Sequence, residues 1–481
     1  MKPNLSLTNT GLAVLHGLTD ADIDWMLDCG LKQEFAPGGL VVAEGTRPDA
    51  IFLIASGILS VFLGVDGEGR VAVLGPGQIV GEMSFLEDRP SSASVAALET
   101  SSVISLPASI LRPKLEADPG FAGRFYHSIA RLTSKRLREL LGVVGRWSQE
   151  TPSAAVTATE ASRELAAATQ HFKETLISAS KKEDAVGAAR VLSEALGEFA
   201  SLLNRLVGPD SAASLDLRDE LGARAQQELL PFFLKSQVAE RLYCKPRGYA
   251  LDFQTMELMA DSARLADSAL NAALRQFPPL AALAHRQRLI EEIIVQQAGN
   301  QTEGSFHCTS IADSAGRSVF SALRTAPNPG RFHVTIYDFD TKALDQVNQR
   351  AAITGLSSQF TCNHTHLLAL VAGRLQVDGP KQHLIFSAGL PDMLEDRFLL
   401  RVINSAHDLL APGGRLVLGF CHSGRPERSF LHYILSLDLI YRTEREVNTL
   451  LTRSHFGKPA TKVRFETEHA CFLAECVKSA P

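Results

Sequence analysis

Short apolar runs rich in β-branched residues recur through the first 110 residues and are separated by glycine-containing turns. They lie at 40–42, 50–54, 58–63, 71–74 and 102–106. Short, closely spaced strands with glycine between them predict a small antiparallel barrel or jelly roll. From 108 to 147 the pattern becomes helical, with arginines and lysines among the apolar positions, and a solvated helix face is the simplest interpretation of those charges.

Residues 150–300 have the composition and spacing of helices, with breaks at 151–153 and 208–210. The first helical segment, 155–206, carries apolar residues at Leu165, Phe172, Leu176 and Ile177. It is either a stalk that supports a homodimer or a connector packed within the same chain. The broken heptad pattern favours the connector. A second helical stretch is predicted from 216 to 242.

From about residue 304 apolar strands alternate with helices, which predicts an open α/β sheet. Strands are predicted at 306–312, 333–338, 383–389 and 415–420, helices at 317–323, 342–354 and 397–410, and a closing hairpin at 462–465 and 470–474. The sequence Ala-Pro-Gly-Gly at 411–414 predicts a tight turn before the fourth strand. The fold class is therefore multidomain, α+β and α/β, with divisions predicted at 1–147, 148–300 and 301–481.

Composition narrows the possible partners and location. The formal charge of −5 over 481 residues argues against nucleic acid as a general partner. Seven scattered cysteines without a Cys-x-x-Cys pair favour a reducing compartment. Neither a signal peptide nor an apolar run of membrane-spanning length is found, so we expect a cytoplasmic protein without a membrane span. The sequence shows no metal-ligand cluster among its fourteen histidines.

Residues 80–95, Val-Gly-Glu-Met-Ser-Phe-Leu-Glu-Asp-Arg-Pro-Ser-Ser-Ala-Ser-Val, resemble the phosphate-binding cassette of Crp-like cyclic nucleotide-binding domains. The resemblance implies a nucleotide-like pocket containing Gly81, Glu82, Ser91 and Ser92, with Glu82 in the place of the carboxylate that holds a ribose hydroxyl. Ser91 stands where the family has an arginine that pairs with the cyclic phosphate. A helix N-terminus can still bind an anion, but the strongest charge-assisted contact is missing, which counts against cyclic nucleotide binding. No helix-turn-helix with a basic second helix follows the barrel.

The sequence Lys-Pro-Arg-Gly-Tyr-Ala-Leu-Asp at 245–252 resembles a Lys-Pro-x-Gly-Tyr-Ala-Gly-Asp segment. That segment precedes the methyltransferase domain in a bacterial family related to the synthesis of 3-hydroxypalmitic acid methyl ester. Leu251 replaces the family's second glycine. From the residues alone, Pro246 and Gly248 predict a fixed turn between helices. Tyr249 and Asp252 are in addition candidates for contact with substrate.

Two later segments resemble the same family: Phe-Ser-Ala-Gly-Leu-Pro-Asp-Met-Leu-Glu-Asp-Arg at 386–397 and Leu-Ile-Tyr-Arg-Thr-Glu-Arg-Glu at 439–446. The order of strands and helices, the acidic end of the second strand and the late hairpin resemble a class I S-adenosylmethionine-dependent methyltransferase. The resemblance implies a Rossmann-like sheet that binds S-adenosylmethionine at the carboxyl ends of its strands.

The implied cofactor contacts follow the predicted strands. They are Asp313, Ser314 and Gly316 after the first strand, Asp338 at the end of the second, and Ser387 and Gly389 after the buried strand at 383–389. Ser314 replaces the expected glycine, and Asp313 adds a carboxylate. Asp338 is the principal candidate; its alternative role, capping the next helix, is served at least as well by Asp340.

The resemblance implies methyl transfer to the carboxylate of a fatty-acid-like acceptor, which is ionised at neutral pH and requires no general base. Arg442, beside Tyr441, is the candidate clamp for that carboxylate, or else forms a surface ion pair with Glu444 or Glu446. His422 either lines the acceptor pocket or is an ordinary loop residue.

Two functions remain open from sequence. One is an enzyme that makes a fatty-acid-derived signal and carries an N-terminal regulatory domain. The other is a non-catalytic regulatory protein that binds a partner or small ligand, because both the cassette and the cofactor loop depart from their families.

Overall fold

The computed structural model describes Leu12, Leu15 and residues 17–64, 69–147, 160–181, 184–261, 268–301, 304–375 and 379–480. Residues 31–107 form two four-stranded antiparallel sheets, ordered β1-β8-β3-β6 and β2-β7-β4-β5. Their strands are β1 Leu31–Phe35, β2 Leu40–Val42, β3 Ala50–Ser56, β4 Leu59–Leu63, β5 Gly69–Leu74, β6 Ile79–Val80, β7 Ser94–Ala97 and β8 Ser101–Pro107. Buried side chains from both sheets, such as Ile54 and Leu59, share one apolar cluster. The predicted barrel and its five strands are confirmed.

Helices precede and follow the barrel strands in sequence, and one short helix, α2, lies between β6 and β7. They are α1 Asp20–Cys29, α2 Glu82–Glu87, α3 Ala108–Ala117 and α4 Pro119–Trp147. The solvated-face interpretation of the basic residues on α4 is wrong at two positions. Arg124 donates two hydrogen bonds to Asp22, at 2.7 and 2.9 Å, and Arg136 is turned inward towards Glu82.

The middle of the chain is helical, as predicted, although the proposed break at 151–153 lies outside the described residues. The helices are α5 Glu160–Ala179, α6 Ala185–Val207, α7 Leu215–Phe233, α8 Gln237–Cys244, α9 Phe253–Ala260, α10 Ala269–Gln276 and α11 Pro278–Asn300. Leu165, Phe172 and Leu176 are buried in a cluster that also contains Phe430 of the following region. These contacts within the chain support the connector over the stalk, while Ile177 is exposed.

A mixed sheet occupies the last third of the chain, in the order β11-β10-β9-β12-β13-β16-β15, with β14 paired to β13. The strands are β9 Phe306–Ile311, β10 Phe332–Asp338, β11 Phe360–His364, β12 Gln382–Ser387, β13 Leu410–His422, β14 Tyr441–Arg442, β15 Lys462–Phe465 and β16 Cys471–Val477. The accompanying helices are α12 Arg317–Thr325, α13 Thr341–Thr354, α14 Leu367–Val371, α15 Asp396–Leu409, α16 Arg428–Tyr433 and α17 Glu444–Arg453. Among the described strand pairs of this mixed sheet, only the two that involve β16, with β13 and with β15, are antiparallel. The predicted α/β sheet and closing hairpin are confirmed.

One local prediction needs correction. Residues 411–414 do not form a separate turn before the strand but a bulge inside β13, because the partner of β12 jumps from Leu410 to Arg415 while β12 advances only from Gln382 to Leu384. The backbone carbonyl of Gly414 accepts a hydrogen bond of 2.9 Å from the N–H of Lys478, so the start of β13 stays bonded to the chain that follows β16.

The barrel and the mixed sheet are packed against each other. Ile51 and Leu106 of the barrel belong to the same continuous apolar cluster as Leu367, Leu394 and Phe398. The division into units at 147 and 300 therefore stays a prediction from sequence. In the described part of the chain, no helix combines the length and apolarity needed to cross a membrane.

Candidate functional site

The chain runs outward from β9 to β10 and β11, then returns to the other side of β9 with β12 and β13. This reversal creates a switch point between β9 and β12. Open α/β sheets bind their ligands in the crevice outside the carboxyl ends of the strands at such a point. The sequence-predicted residues Ser314, Asp338 and Gly389 line one cavity there.

The loop after β9 has a strained backbone. Ala312, Ser314 and Ala315 have φ values of 48°, 42° and 53°, and Gly316 follows at 67°. Left-handed conformations at non-glycine residues cost about 1–3 kcal/mol each and persist where the surroundings enforce them. Ser314 therefore has the conformation that the expected glycine would adopt without strain.

Asp313 is buried in this loop. It is 2% exposed, and neither of its carboxylate oxygens has a hydrogen-bond partner of regular geometry among the described residues. Burial raises the pKa of Asp313 to about 6, against the opposing influence of the nearby Ser318 hydroxyl and Arg286 guanidinium. A buried carboxylate without a partner is costly, so Asp313 is an available acceptor for a cationic or hydrogen-bonding group.

Asp338 ends β10 and borders the same cavity. Its carboxylate accepts a hydrogen bond of 2.9 Å from the backbone N–H of Asp340. Burial, and then the nearby Asp340 charge, raise the pKa of Asp338 to about 8. The cap of α13 is Asp340, which accepts from the N–H groups of Lys342 and Ala343. The capping role is thus filled by Asp340, as expected.

The cavity at the switch point is small. Its volume is about 50 Å³, with Tyr249, Leu251 and Phe253 on one side and Asp338 on the other. A second cavity of about 130 Å³ adjoins it and shares Tyr249. Small-molecule sites usually measure about 300–1,000 Å³, so a nucleoside-sized ligand requires this region to open.

The three segments that carry the methyltransferase resemblance meet around the second cavity. Tyr249 from the first segment, Leu394 from the second and Leu439 from the third all line it. Asp392 of the second segment accepts a hydrogen bond of 2.8 Å from the backbone N–H of Ile440 in the third through its carbonyl. Segments nearly 200 residues apart in sequence are therefore neighbours beside the switch point.

The barrel reaches this site through Arg247. The Arg247 guanidinium donates to both oxygens of Asp340, at 2.5 and 2.5 Å. It also donates to both oxygens of Glu99 in the barrel, at 3.1 and 2.7 Å. Tyr249 donates its hydroxyl hydrogen to Asp340 at 2.8 Å. One arginine thus joins the barrel, the segment 245–252 and the end of β10.

Glycine is required where this segment meets the barrel. Gly248 has φ +73°, and a Cβ added there would lie 2.4 Å from the Cα of Gly75. Leu251, in the place of the family's second glycine, has φ 56°. The predicted fixed turn is therefore confirmed, and the barrel contact adds a reason for Gly248 that the sequence did not show.

Several predicted contact residues have structural roles. Asp252 does not line either cavity, because its carboxylate caps α9 through the N–H groups of Gln254 and Thr255 and binds Arg241. Arg442 is 2% exposed and is not a free clamp. It donates to the carbonyls of Pro391 and Leu394, at 2.8 and 2.5 Å, and to Asp396 at 3.0 Å. The alternative ion pair with Glu444 or Glu446 is also wrong.

Three further candidates lie away from the first cavity's lining. The Ser387 hydroxyl donates to the carbonyl of Ile311 at 2.7 Å and ties β12 to β9. His422 accepts the N–H of Gly424 at Nδ1 and places Nε2 3.2 Å from Glu444. The hydroxyl of Tyr441 is buried without a hydrogen-bond partner in the described structure, and burial raises its pKa well above the usual value.

Arg286 is a site residue that the sequence analysis missed. It projects from α11 into the first cavity and donates to Asp392 at 2.6 Å, while its buried Nε has no partner in the described residues. An arginine within a long helical segment gives no sequence signal of this kind, because only the packing of α11 on the sheet places it at the switch point.

Glu82 and Ser91, two of the residues predicted to form the nucleotide-like pocket of the barrel, are bonded within the chain. Gly81, at φ 85°, opens α2, and the buried Glu82 carboxylate accepts from Arg136, whose guanidinium also donates to the carbonyl of Ile79 at 2.8 Å. The hydroxyl of the buried Ser91 lies 3.0 Å from that of Ser84, while Ser92 is exposed. The cassette is formed, and its carboxylate is already paired.

A group of side chains that can ligate a metal lies elsewhere. The ligand atoms of His407, Asp408 and His455 are within 4.8 Å of one another. Sequence spacing gave no sign of this group, because His455 approaches only through the packing of α17 on α15. Asp408 and His455 are exposed, and hydrogen bonds within the group account for its geometry.

Comparison with known proteins identifies the barrel. Residues 32–118 match the model of the cyclic nucleotide-binding domain family. The chain is similar to the cyclic AMP receptor protein of Thermus thermophilus, with 31% identity over 131 residues, 27% of this chain and 59% of that protein. It is also similar to a cAMP-dependent protein kinase regulatory subunit of Colletotrichum orbiculare, with 31% identity over 93 residues, 19% of this chain and 24% of that protein.

A solved structure from a cyclic-GMP-dependent signalling pathway that regulates bacterial phytopathogenesis is 25% identical, with a TM-score of 0.22, and the match covers 24% of this chain and 95% of that one. The chain covers less than two thirds of the length of either relative named above. The family match coincides with the two barrel sheets and the cassette. The N-terminal part of this chain therefore contains a cyclic nucleotide-binding domain.

Proposed function

We propose that the mixed sheet and the segment 245–252 form an S-adenosylmethionine-dependent methyltransferase acting on a fatty-acid-like carboxylate, regulated by the cyclic nucleotide-binding domain. The observation that carries the proposal is the meeting of three family-like segments beside the switch point, next to Asp338. Chance resemblances spread over 200 residues have no reason to converge on one ligand edge.

The donor set at the switch point fits the cofactor in its chemistry. Asp338 would accept hydrogen bonds from ribose hydroxyls, as the acidic residue does in dinucleotide-binding folds. Asp313, whose oxygens have no hydrogen-bond partner of regular geometry among the described residues, would hold the cationic end. The cofactor would supply a methyl group on a sulfonium. The volume of about 50 Å³ requires the segment with Tyr249 and Leu251 to move away first.

Arg286 replaces Arg442 as the cationic group for a carboxylate. It borders the first cavity. Its Nη1 is bound to Asp392, and its Nε has no hydrogen-bond partner in the described structure. A guanidinium matches the two oxygens of a carboxylate. The protein's part in the reaction is then to orient that carboxylate and exclude water.

Regulation follows from how the barrel covers the site. Pro76 of the barrel lines the second cavity, and Arg247 ties Glu99 to Asp340. A ligand that shifts the barrel would therefore shift the segment carrying Tyr249. The names of the relatives suggest cyclic AMP or cyclic GMP as that ligand, and its ribose would have to displace Arg136 from Glu82.

The second candidate is a non-catalytic regulatory protein. The small cavity and the internally paired Glu82 favour it, because neither site is open to its family's ligand in this conformation. In that case the sheet would serve as a scaffold that binds a partner or a small ligand.

Calorimetric titration with S-adenosylmethionine and S-adenosylhomocysteine separates the two. The enzyme predicts micromolar binding that is lost in Asp338→Ala and kept in Asp345→Ala, a control on the exposed face of α13 whose side chain contacts Lys342. Absence of heat with both ligands at high protein concentration would refute the enzyme and leave the scaffold.

A further inference from the structure

A third, larger cleft is lined by residues of α10, α11, α12 and α13 and adjoins the first cavity at Gln287. Its volume is about 890 Å³, within the usual range of small-molecule sites. Its lining includes five arginines, Arg275, Arg288, Arg317, Arg324 and Arg350. Phe320 forms an apolar part of the wall, with the Arg350 guanidinium 5.3 Å from its ring centre.

The lining of this cleft is net positive, whereas the whole chain is net negative. The acidic side chains in its lining are Glu291 and Glu468, so its arginines outnumber its carboxylates, while the whole chain has a formal charge of −5. A solvated helix face does not account for this, because the arginines come from four different helices, α10 to α13, and line one cleft.

Most of these guanidiniums lack carboxylate partners. Arg350 pairs with Glu257 at 2.5 Å. Among the described salt bridges, none involves Arg275, Arg288 or Arg317, and the contact of Arg324 is with the Ser321 hydroxyl at 3.4 Å. Arg275 and Arg317 are half-buried, whereas Arg288 and Arg324 are exposed. Proteins usually pair a half-buried charge, so the unpaired Arg275 and Arg317 indicate a missing anion.

The position of Arg317 strengthens this inference. It is the first residue of α12, where backbone N–H groups and the helix dipole also favour an anion. Burial lowers the pKa of Arg317, with repulsion from Arg350 and Arg324 adding to it and Glu257 and Glu291 opposing it. Removal of that repulsion is what a bound anion would provide.

We propose that this cleft binds a phosphorylated small molecule carrying two or more negative charges. A single carboxylate would neutralise one of the four unpaired arginines, whereas a diphosphate can accept bidentate hydrogen bonds from two or three of them. The cleft shares Gln287 with the first cavity, but none of its five arginines lines that cavity, so the proposal neither requires nor predicts methyl transfer.

Titration of the full chain with inorganic pyrophosphate tests the proposal. We expect binding at 0.1 M salt that weakens at least about tenfold in Arg317→Gln, since one lost bidentate contact has about that effect. The exposed Arg288→Gln, which carries no folding role in the described contacts, should weaken it similarly. Arg445→Gln, on the exposed face of α17, is the matched control and should bind like the original chain.

The same assay can overturn the inference. Absence of pyrophosphate binding up to millimolar concentration would refute it, as would equal weakening in Arg317→Gln and in the Arg445→Gln control. Tighter binding of a hexaglutamate peptide than of pyrophosphate would assign the cleft to an acidic protein segment and would also overturn the small-molecule proposal.

Discussion

Replacing Arg247 by methionine removes the guanidinium that joins the barrel to the end of β10 and leaves an unbranched apolar side chain of similar length in its place. The side chains of Asp340 and Glu99 are 2% and 14% exposed, so both carboxylates would remain with little access to water. Breaking a buried ion pair by removing one partner costs about 3–5 kcal/mol. Two ion pairs are broken, but Asp340 keeps its hydrogen bonds from Tyr249 and from the α13 N-terminus. We therefore expect the free energy of unfolding to fall by about 3–5 kcal/mol in total and not by that amount for each pair.

The interaction energy between Arg247 and Glu99 of the barrel can be measured by a double-mutant cycle of Arg247→Met with Glu99→Gln. Two charge-assisted hydrogen bonds, at 3.1 and 2.7 Å, connect this pair, and hydrogen bonds to charged groups contribute about 1.5–3 kcal/mol. We expect a coupling energy of about that size in urea unfolding followed by Trp25 fluorescence and circular dichroism. Arg163→Met, on an exposed position of α5, should leave the unfolding free energy unchanged.

A decrease in the free energy of unfolding of less than about 1 kcal/mol for Arg247→Met would refute the reasoning. It would mean that the ion pairs of Arg247 with Asp340 and Glu99 are screened as strongly as a surface salt bridge. A coupling energy below about 0.5 kcal/mol would show that the barrel is not held through Glu99. Either result would also remove the route by which the barrel is proposed to move the segment 245–252.

Three further predictions concern the two sites and the contact between them. The folded pKa of Asp338, about 8, exceeds its unfolded value of about 3.9, so its contribution to stability should be lost as pH rises from about 4 to 8, by up to about 1.4 kcal/mol per pH unit. In unfolding measured from about pH 6 to 8, above the pKa of Asp313 of about 6, Asp338→Asn should remove this slope. An unchanged slope there would contradict the burial of the Asp338 charge. Ser91→Arg, which restores the arginine of the cassette, should raise affinity for cyclic AMP at least about tenfold in fluorescence titration, and no gain would show that pairing of Glu82 alone closes the pocket. Gly248→Ala should lower the midpoint of thermal unfolding more than Gly45→Ala. Both glycines have positive φ, but only a Cβ at position 248 would meet the backbone of Gly75, which should lower the free energy of unfolding by about 1–3 kcal/mol more. Equal effects of the two substitutions would exclude the close contact.

The pattern of strands and helices was enough to predict the barrel, the mixed sheet and the position of Asp338. Local sequence carries these features because strand periodicity and an acidic strand end are properties of a few adjacent residues. Five strands were missed: β1, β6, β7, β11 and β14. Two of them lacked the pattern, because β1 is mostly exposed and β6 has two residues.

The roles of charged side chains were predicted less well. Arg442 was interpreted as a clamp because the implied acceptor carboxylate needs a cationic partner, yet its own partners are the carbonyls of Pro391 and Leu394, some fifty residues away. Arg136 was assigned to a solvated helix face, and Arg286 was overlooked. Whether an arginine faces solvent or a buried carboxylate depends on the packing of distant elements, which a single sequence does not reveal.

The apolar cluster shared by the barrel and the sheet has a consequence for how the protein is made. Leu53 and Leu106 leave the ribosome long before Leu367 and Phe398, which belong to the same cluster, have been translated. At about 5–20 residues per second, the finished barrel waits on the order of ten seconds to one minute with this face uncovered. During that interval the nascent chain presents an apolar surface of the kind that chaperones bind, and its yield in the cell should depend on them more than that of a free-standing cyclic nucleotide-binding domain.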